Sequence, residues 1–125
     1  MKKILLSLIV VVFSLELINA QQYVATTPTK KNVILEEYTG AYCSYCPDGH
    51  KIANEMAAEY PGRIFPINIH AGGYAPTSYP NMTTNAGNEF NGSFGVYSYP
   101  SGVVNRATGA IGRNMWEDKS VEQMH

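Results

Sequence analysis

"NVILEEYTGAYCSYCPDGH", Asn32 to His50, contains a change of hydrophobic period and both cysteines of the 125-residue chain. Its first part is rich in β-formers, and Val33, Ile34 and Leu35 are apolar in succession. This predicts a strand over Asn32–Thr39 covered on both faces. From Cys46 onward apolar residues recur at helical spacing, at Ile52, Met56 and Ala57 or Tyr60, until Pro61-Gly62 stops the run. Pro47 suits the first turn of that helix, where the amide it lacks would have no intrahelical partner. "RIFPINIH", Arg63 to His70, reads as a second strand, although Pro66 sits in its middle. Strand, helix and strand in this order predict a right-handed βαβ crossover.

Two cysteines two residues apart can be a redox pair, metal ligands or a structural staple. Their position is informative, because Cys43 falls where the strand gives way to the helix. Unpaired amides and the positive dipole end of a helix stabilise an anion there, here the Cys43 thiolate. Such a setting lowers a thiol pKa from about 8.5 into the range ~3.5–7.5 and makes the thiolate a good leaving group. Cys46, one turn further in, could then close a disulfide and release a partner. A staple across two residues removes little chain entropy and is the weakest reading. For metal, Cys43, Cys46 and His50 lie at one helix end, and His70 at the second strand's end could complete a soft-metal site. Haem attachment is excluded, since Pro47 rather than histidine follows Cys46.

The chain opens with "MKKILLSLIVVVFSLELINA", in which Lys2 and Lys3 precede an apolar run and small Ala20 follows. That is the pattern of a secretory signal peptide, residues 1–20. The run is shorter than the roughly 20 residues that a membrane span needs, and Glu16 interrupts it. "QQYVATTPTKK", 21–31, is a polar lead-in, and 32–125 form one domain. The formal net charge is −1, and losing Lys2, Lys3 and Glu16 makes it slightly more negative. With no basic cluster beyond Lys30-Lys31, nucleic acid is not expected as a partner. Export places the cysteines where disulfides persist.

Further along, Ala71 to Asn88 is a long stretch rich in Gly, Tyr, Pro, Asn and Thr, expected to be functional or lid-like. A short helix is expected between Thr83 and Phe94. "SGVVNR" reads as a third strand, "ATG" as a hairpin turn and "AIGR" as a partner strand. Asn114 and Glu117 have capping-box spacing, predicting a helix that carries Trp116, Val121 and Met124 and in which the chain ends.

"VILEEYTGAYCSYC" resembles the strand-turn-CxxC segment of the thioredoxin superfamily, and "FGVYSYPSGVVN" resembles its second signature, which leads through a cis-proline into a strand. The resemblance implies an α/β fold with a central mixed β-sheet flanked by helices. It makes Pro100 a cis-proline against the disulfide and Tyr99 a donor of backbone groups to bound peptide. Glu37, six residues before Cys43, matches the buried acid that many of these proteins place beneath the disulfide. Desolvation should raise its pKa and let it exchange protons with Cys46; Glu36 is its rival for that position. "CSYC", by its Tyr45, is similar to the pattern of periplasmic disulfide isomerases. Together "LEEYTGAYCSYCPDGH", "IHAG" and "YPSGVVNR" resemble the Omp-twenty-eight-related outer membrane proteins, over roughly Asn32 to Trp116. Members of that family carry further sequence beyond this part, so the resemblance implies a piece of a longer protein with its last helix cut short.

The expectation is an exported thiol–disulfide oxidoreductase of the periplasm or outer membrane of a Gram-negative-type envelope. Cys43 attacks, Cys46 resolves, Glu37 moves protons, and Pro100, Tyr99 and Tyr45 meet the substrate. Tyr74, Tyr79 and Tyr97 are further candidates for a peptide groove. Partners would be exported protein thiols or disulfides and a membrane or periplasmic electron donor, with outer-membrane association. No dissociable cofactor is expected, the cysteine pair being itself the redox centre. The alternatives are a non-enzymatic surface-binding protein on the same scaffold and a Cu(I)-binding chaperone.

Overall fold

A computed structural model of the protein describes residues 30–78 and 80–125. The expected signal peptide, nearly all of the lead-in and Tyr79 lie outside the described residues. The sheet has four strands, β1 (Val33–Thr39), β2 (Ile64–His70), β3 (Ser101–Val104) and β4 (Ile111–Gly112). Their spatial order is β2-β1-β3-β4. β1 and β2 run parallel, with Val33 opposite Ile64 and Thr39 opposite His70. β1 with β3, and β3 with β4, are antiparallel, so the sheet is mixed. β2 is therefore an edge strand, which is where a proline such as Pro66 is tolerated.

The crossover from β1 to β2 is helix α1 (Cys46–Glu59). Its buried residues are Cys46, Gly49, Ala53 and Met56, a narrower and smaller set than the sequence suggests. Ile52 and Tyr60 only border the core, while Gly49 and Ala53 let the helix lie close to the strands. Helix α2 (Asn85–Ser93) follows the long stretch after β2, and Thr84 Oγ1 caps it by accepting from the Gly87 amide at 2.9 Å. Helix α3 (Trp116–Gln123) comes last. The capping box expected from Asn114 and Glu117 does not form. A 3₁₀ turn over Arg113–Met115 feeds the helix, and its N-cap, Met115, makes no side-chain cap bond. The hairpin turn also begins earlier than "ATG", because Asn105 and Arg106 already adopt positive φ, 49° and 54°.

α1 and α3 cover one face of the sheet, where Val33, Leu35, Ala53, Met56, Ile64, Val104, Trp116 and Met124 form the main core. A second cluster on the opposite face joins Tyr38, Ala71, Val96 and Val103 with Phe90 and Phe94. α2 is short and sits at that end alone. Ile34, Phe65 and Ile67, at the other end of the same face, remain 43–48% exposed; β1 is thus covered on both faces, as expected, except at Ile34. Among the described residues no helix is long and apolar enough to cross a membrane.

Trp116 closes the main core. Its indole N–H donates to the Ile111 carbonyl at 3.2 Å, and its ring lies where a side chain at Gly102 would be. Trp116→Ala should lower the unfolding free energy by roughly 3–5 kcal/mol, the usual loss for a large buried aromatic. Urea denaturation followed by circular dichroism measures this. A loss below about 1 kcal/mol would contradict a core role.

Candidate redox site

The turn carrying the cysteines is set by a close approach of two loops. β1 ends at Thr39, and a side chain on Gly40 would run into the backbone of Tyr74 and Ala75. Glycine lets the loops touch, and the Tyr42 amide donates to the Tyr74 carbonyl at 3.0 Å. The Cys43 amide then donates back to Gly40 O at 3.0 Å and the Cys46 amide to Cys43 O at 3.3 Å. α1 starts at Cys46, with Pro47 in its first turn, and Tyr45 at the N-cap makes no side-chain cap bond. The helix-end dipole thus faces the cysteines without a competing side-chain acceptor at the cap.

Cys43 and Cys46 are joined by a disulfide with Cα atoms 5.4 Å apart. Cys43 retains 8% exposure and Cys46 only 1%. Cys46 is the more sheltered residue of the pair.

Glu37 is fully buried, on the sheet face covered by α1. A Cβ on Gly49 would lie 2.6 Å from Glu37 Oε1 and 2.8 Å from the Pro100 ring. The acid, the helix and the proline therefore converge at one point, one turn beyond Cys46. Across the sheet Glu37 is opposite Gly102, which Trp116 covers. Glu37 Oε2 is 3.0 Å from His50 Nδ1, while Oε1 has no hydrogen-bond partner among the described residues. Burial pushes the Glu37 pKa up, and the His50 hydrogen bond and charge offset part of that rise. Its rival Glu36 also avoids water, but on the opposite face. Arg106 holds Glu36 Oε1 at 2.6 Å and lies over the Phe90 ring, so strand alternation gives the two glutamates unrelated environments.

The Tyr99–Pro100 bond is cis and Pro100 is buried. The Tyr99 hydroxyl donates to Asn91 Oδ1, and its ring meets Tyr74 edge-on at 5.7 Å. Tyr45 is exposed beside the disulfide, with the Arg113 guanidinium 5.9 Å from its ring centre; Tyr97 is also exposed. The four metal candidates do not come together as a ligand set. Among the described residues no group of three or more His, Cys, Asp or Glu is placed to hold a metal. Both cysteine sulfurs are bonded to each other, and His50 turns Nδ1 to Glu37 and Nε2 to Thr39 Oγ1 at 3.4 Å. His70 neighbours this pair, and burial followed by the His50 charge pushes its pKa down.

Thr39, Gly40 and Gly49 belong to the site but are not evident from sequence. Only Gly49 carries a signal: glycine inside a helix is unfavourable by roughly 0.8–1 kcal/mol relative to alanine, which suggests a close approach.

Fold and site together define an α/β protein whose CxxC disulfide bridges the start of the first helix, with a cis-proline and a buried acid meeting below it. No protein-family model and no curated protein matches the chain. Among solved structures it is similar to HBP35 of Porphyromonas gingivalis, with a TM-score of 0.57 and 21% identity over 78% of this chain. It is also similar to a structural-genomics target from Agrobacterium tumefaciens, with a TM-score of 0.50 and 15% identity over 77%. The chain spans 34% of the first and 46% of the second. At these identities the likeness is one of fold, and the mixed sheet flanked by helices is what the thioredoxin resemblance implies.

Two variants probe the geometry. Gly49→Ala should destabilise the protein, because an overpacked contact costs roughly 1–3 kcal/mol and the crowded neighbours, Glu37 and Pro100, are themselves buried. A variant as stable as the parent in urea would show that α1 can lift off the sheet freely. For Glu37 the raised pKa means that the native state binds the extra proton. Stability should therefore fall as pH rises from the ordinary value of 4.5 through the folded pKa. Glu37→Gln should accordingly raise the urea midpoint near neutral pH, with the gain shrinking as pH drops towards 4.5. A gain that grows on acidification would reverse the assigned sign.

Proposed function

We propose that this protein is an exported thiol–disulfide oxidoreductase. The observation that carries the reading is the unequal disulfide at a helix start: Cys43 partly accessible outside the helix, Cys46 buried in its first turn, and Glu37 buried on the face that α1 covers. In the reducing direction, the Cys43 thiolate attacks a sulfur of a substrate disulfide. One substrate thiolate leaves and takes a proton from water. Cys46 then loses its proton and attacks Cys43, forming the internal disulfide and releasing the second substrate thiol. Two electrons pass from the dithiol to the substrate, and the reverse sequence oxidises a dithiol.

In this reading Pro100 and the backbone of Tyr99 shape the groove for an extended peptide, and Tyr45 flanks it. Substrates are exported protein thiols or disulfides, and an envelope electron donor or acceptor renews the pair. The reading includes export to the periplasm or outer membrane and kinship with the Omp-twenty-eight-related proteins; the leader-like residues 1–20 and the quoted motifs support it. A second reading, a surface-binding protein that uses the fold as scaffold, is favoured by the exposed apolar residues Ile34, Phe65 and Ile67.

The deciding experiment is insulin-disulfide reduction by dithiothreitol with and without the protein. Acceleration is expected, with its complete loss in Cys43→Ser. Cys46→Ser should instead trap a mixed disulfide with substrate, visible by non-reducing electrophoresis. If the parent protein, with its disulfide shown to be reducible, neither accelerates this reaction nor refolds scrambled substrates, the oxidoreductase reading fails and the binding scaffold replaces it.

A further inference from the structure

A buried acid that accepts a proton from Cys46 must also lose it, and complete burial separates Glu37 from bulk water. His50 spans that gap. Its Nδ1 lies 3.0 Å from Glu37 Oε2, and the side chain of His50 is 34% exposed while that of Glu37 is 0%. One residue therefore touches the carboxyl at one end and water along its flank. A cleft of about 100 Å³ opens beside the pair, lined by Glu37, His50, Ala53, Asn54, Pro66 and Asn68. Three of these side chains are polar groups other than the acid, so the cleft suits water.

We propose that His50 is the proton carrier linking the buried Glu37 carboxyl to solvent during exchange at Cys43–Cys46. The inference rests on the oxidoreductase reading and adds a residue to it. The hydrogen bond survives in either protonation state: a neutral Glu37 donates to Nδ1, and a protonated imidazole donates from Nδ1 to the carboxylate. Thr39 Oγ1, 3.4 Å from Nε2, orients the ring. In the resolving step the Cys46 Sγ–H proton passes to the Glu37 carboxylate, from there to Nδ1, and the partly exposed imidazole releases one proton to water. The Cys46 sulfur meanwhile bonds to Cys43, and the electron pair of the broken mixed disulfide leaves on the substrate sulfur. His50 acts through Glu37 and does not touch the sulfurs, so it is a positioning and relay residue.

The groups facing His50 are Glu37 and Thr39 from β1 and His70 from β2. Lys51 is paired with Glu55 and points elsewhere. Burial and then the His50 charge push the His70 pKa down, and Glu37 is the ionisable side chain hydrogen-bonded to His50.

The test isolates the resolving step. Reduced protein is treated with Ellman's reagent to place thionitrobenzoate on Cys43, and its release by Cys46 is timed by absorbance across pH. His50→Asn keeps a nitrogen near the Nδ1 position but does not titrate. Release in this variant should be about tenfold slower, below the ~10²–10⁴ attributed to a direct general base. The lost rate should recover with increasing imidazole in the buffer, the small base standing in for the missing ring. A parent-like rate and pH profile in a folded His50→Asn overturns the relay and leaves the oxidoreductase reading intact. Slowing that imidazole cannot rescue overturns it too, since that is a structural effect. If the parent protein itself fails to release thionitrobenzoate, the oxidoreductase reading falls as well.

Discussion

The site depends on how near α1 can come to β1. At Gly49 the helix carries no side chain, and the volume that one would occupy is taken by Glu37 Oε1 and the ring of Pro100. Three distant parts of the chain, strand, helix and proline loop, share that contact. With a larger residue there the helix would ride higher. The acid would then be hydrated, and the cysteine turn, fixed at its other end by Gly40 against Tyr74, would be pulled out of line.

Burying a carboxylate is unfavourable unless something compensates, and the two adjacent glutamates receive different compensation. Glu36 is given a permanent cation in Arg106, with two guanidinium contacts to the same oxygen. Such an arrangement keeps the charge fixed. Glu37 is given an imidazole instead, and each glutamate keeps one oxygen without a hydrogen-bond partner among the described residues. Glu37 lies on the face that α1 covers. The strand's alternation puts the two glutamates on opposite faces, one against a guanidinium and the other against an imidazole.

Much of this was legible in the sequence, for identifiable reasons. β1, α1 and β2 were found within a residue or so of their ends, because hydrophobic period and proline position are local signals. Cys43, Cys46, Glu37 and Pro100 stand out in the sequence because the motifs surrounding them are compact, and the structure places the disulfide at the start of α1 and the acid and the proline together at Gly49. The sequence misled where tertiary contacts override local ones. Ile52 and Tyr60 had the right period but Gly49 and Ala53 took the core positions, since close helix–sheet packing selects small residues. The Asn114–Glu117 spacing did not cap a helix because Trp116 had to point inward and a 3₁₀ turn sets its phase. His50 was visible only as a ligand candidate, because its pairing with Glu37 needs the register of a strand thirteen residues away.

The sheet's edges bear on how a polypeptide can be engaged. β2 carries a proline within it, and β4, at the opposite edge, is only two residues long. A strand broken by proline and one so brief are poor templates for pairing with a new chain. Among the described residues neither edge of the sheet is built for strand addition. What lies open at the end of the sheet is the set of loops that meet at the disulfide, where Tyr42, Tyr45 and Tyr74 are exposed.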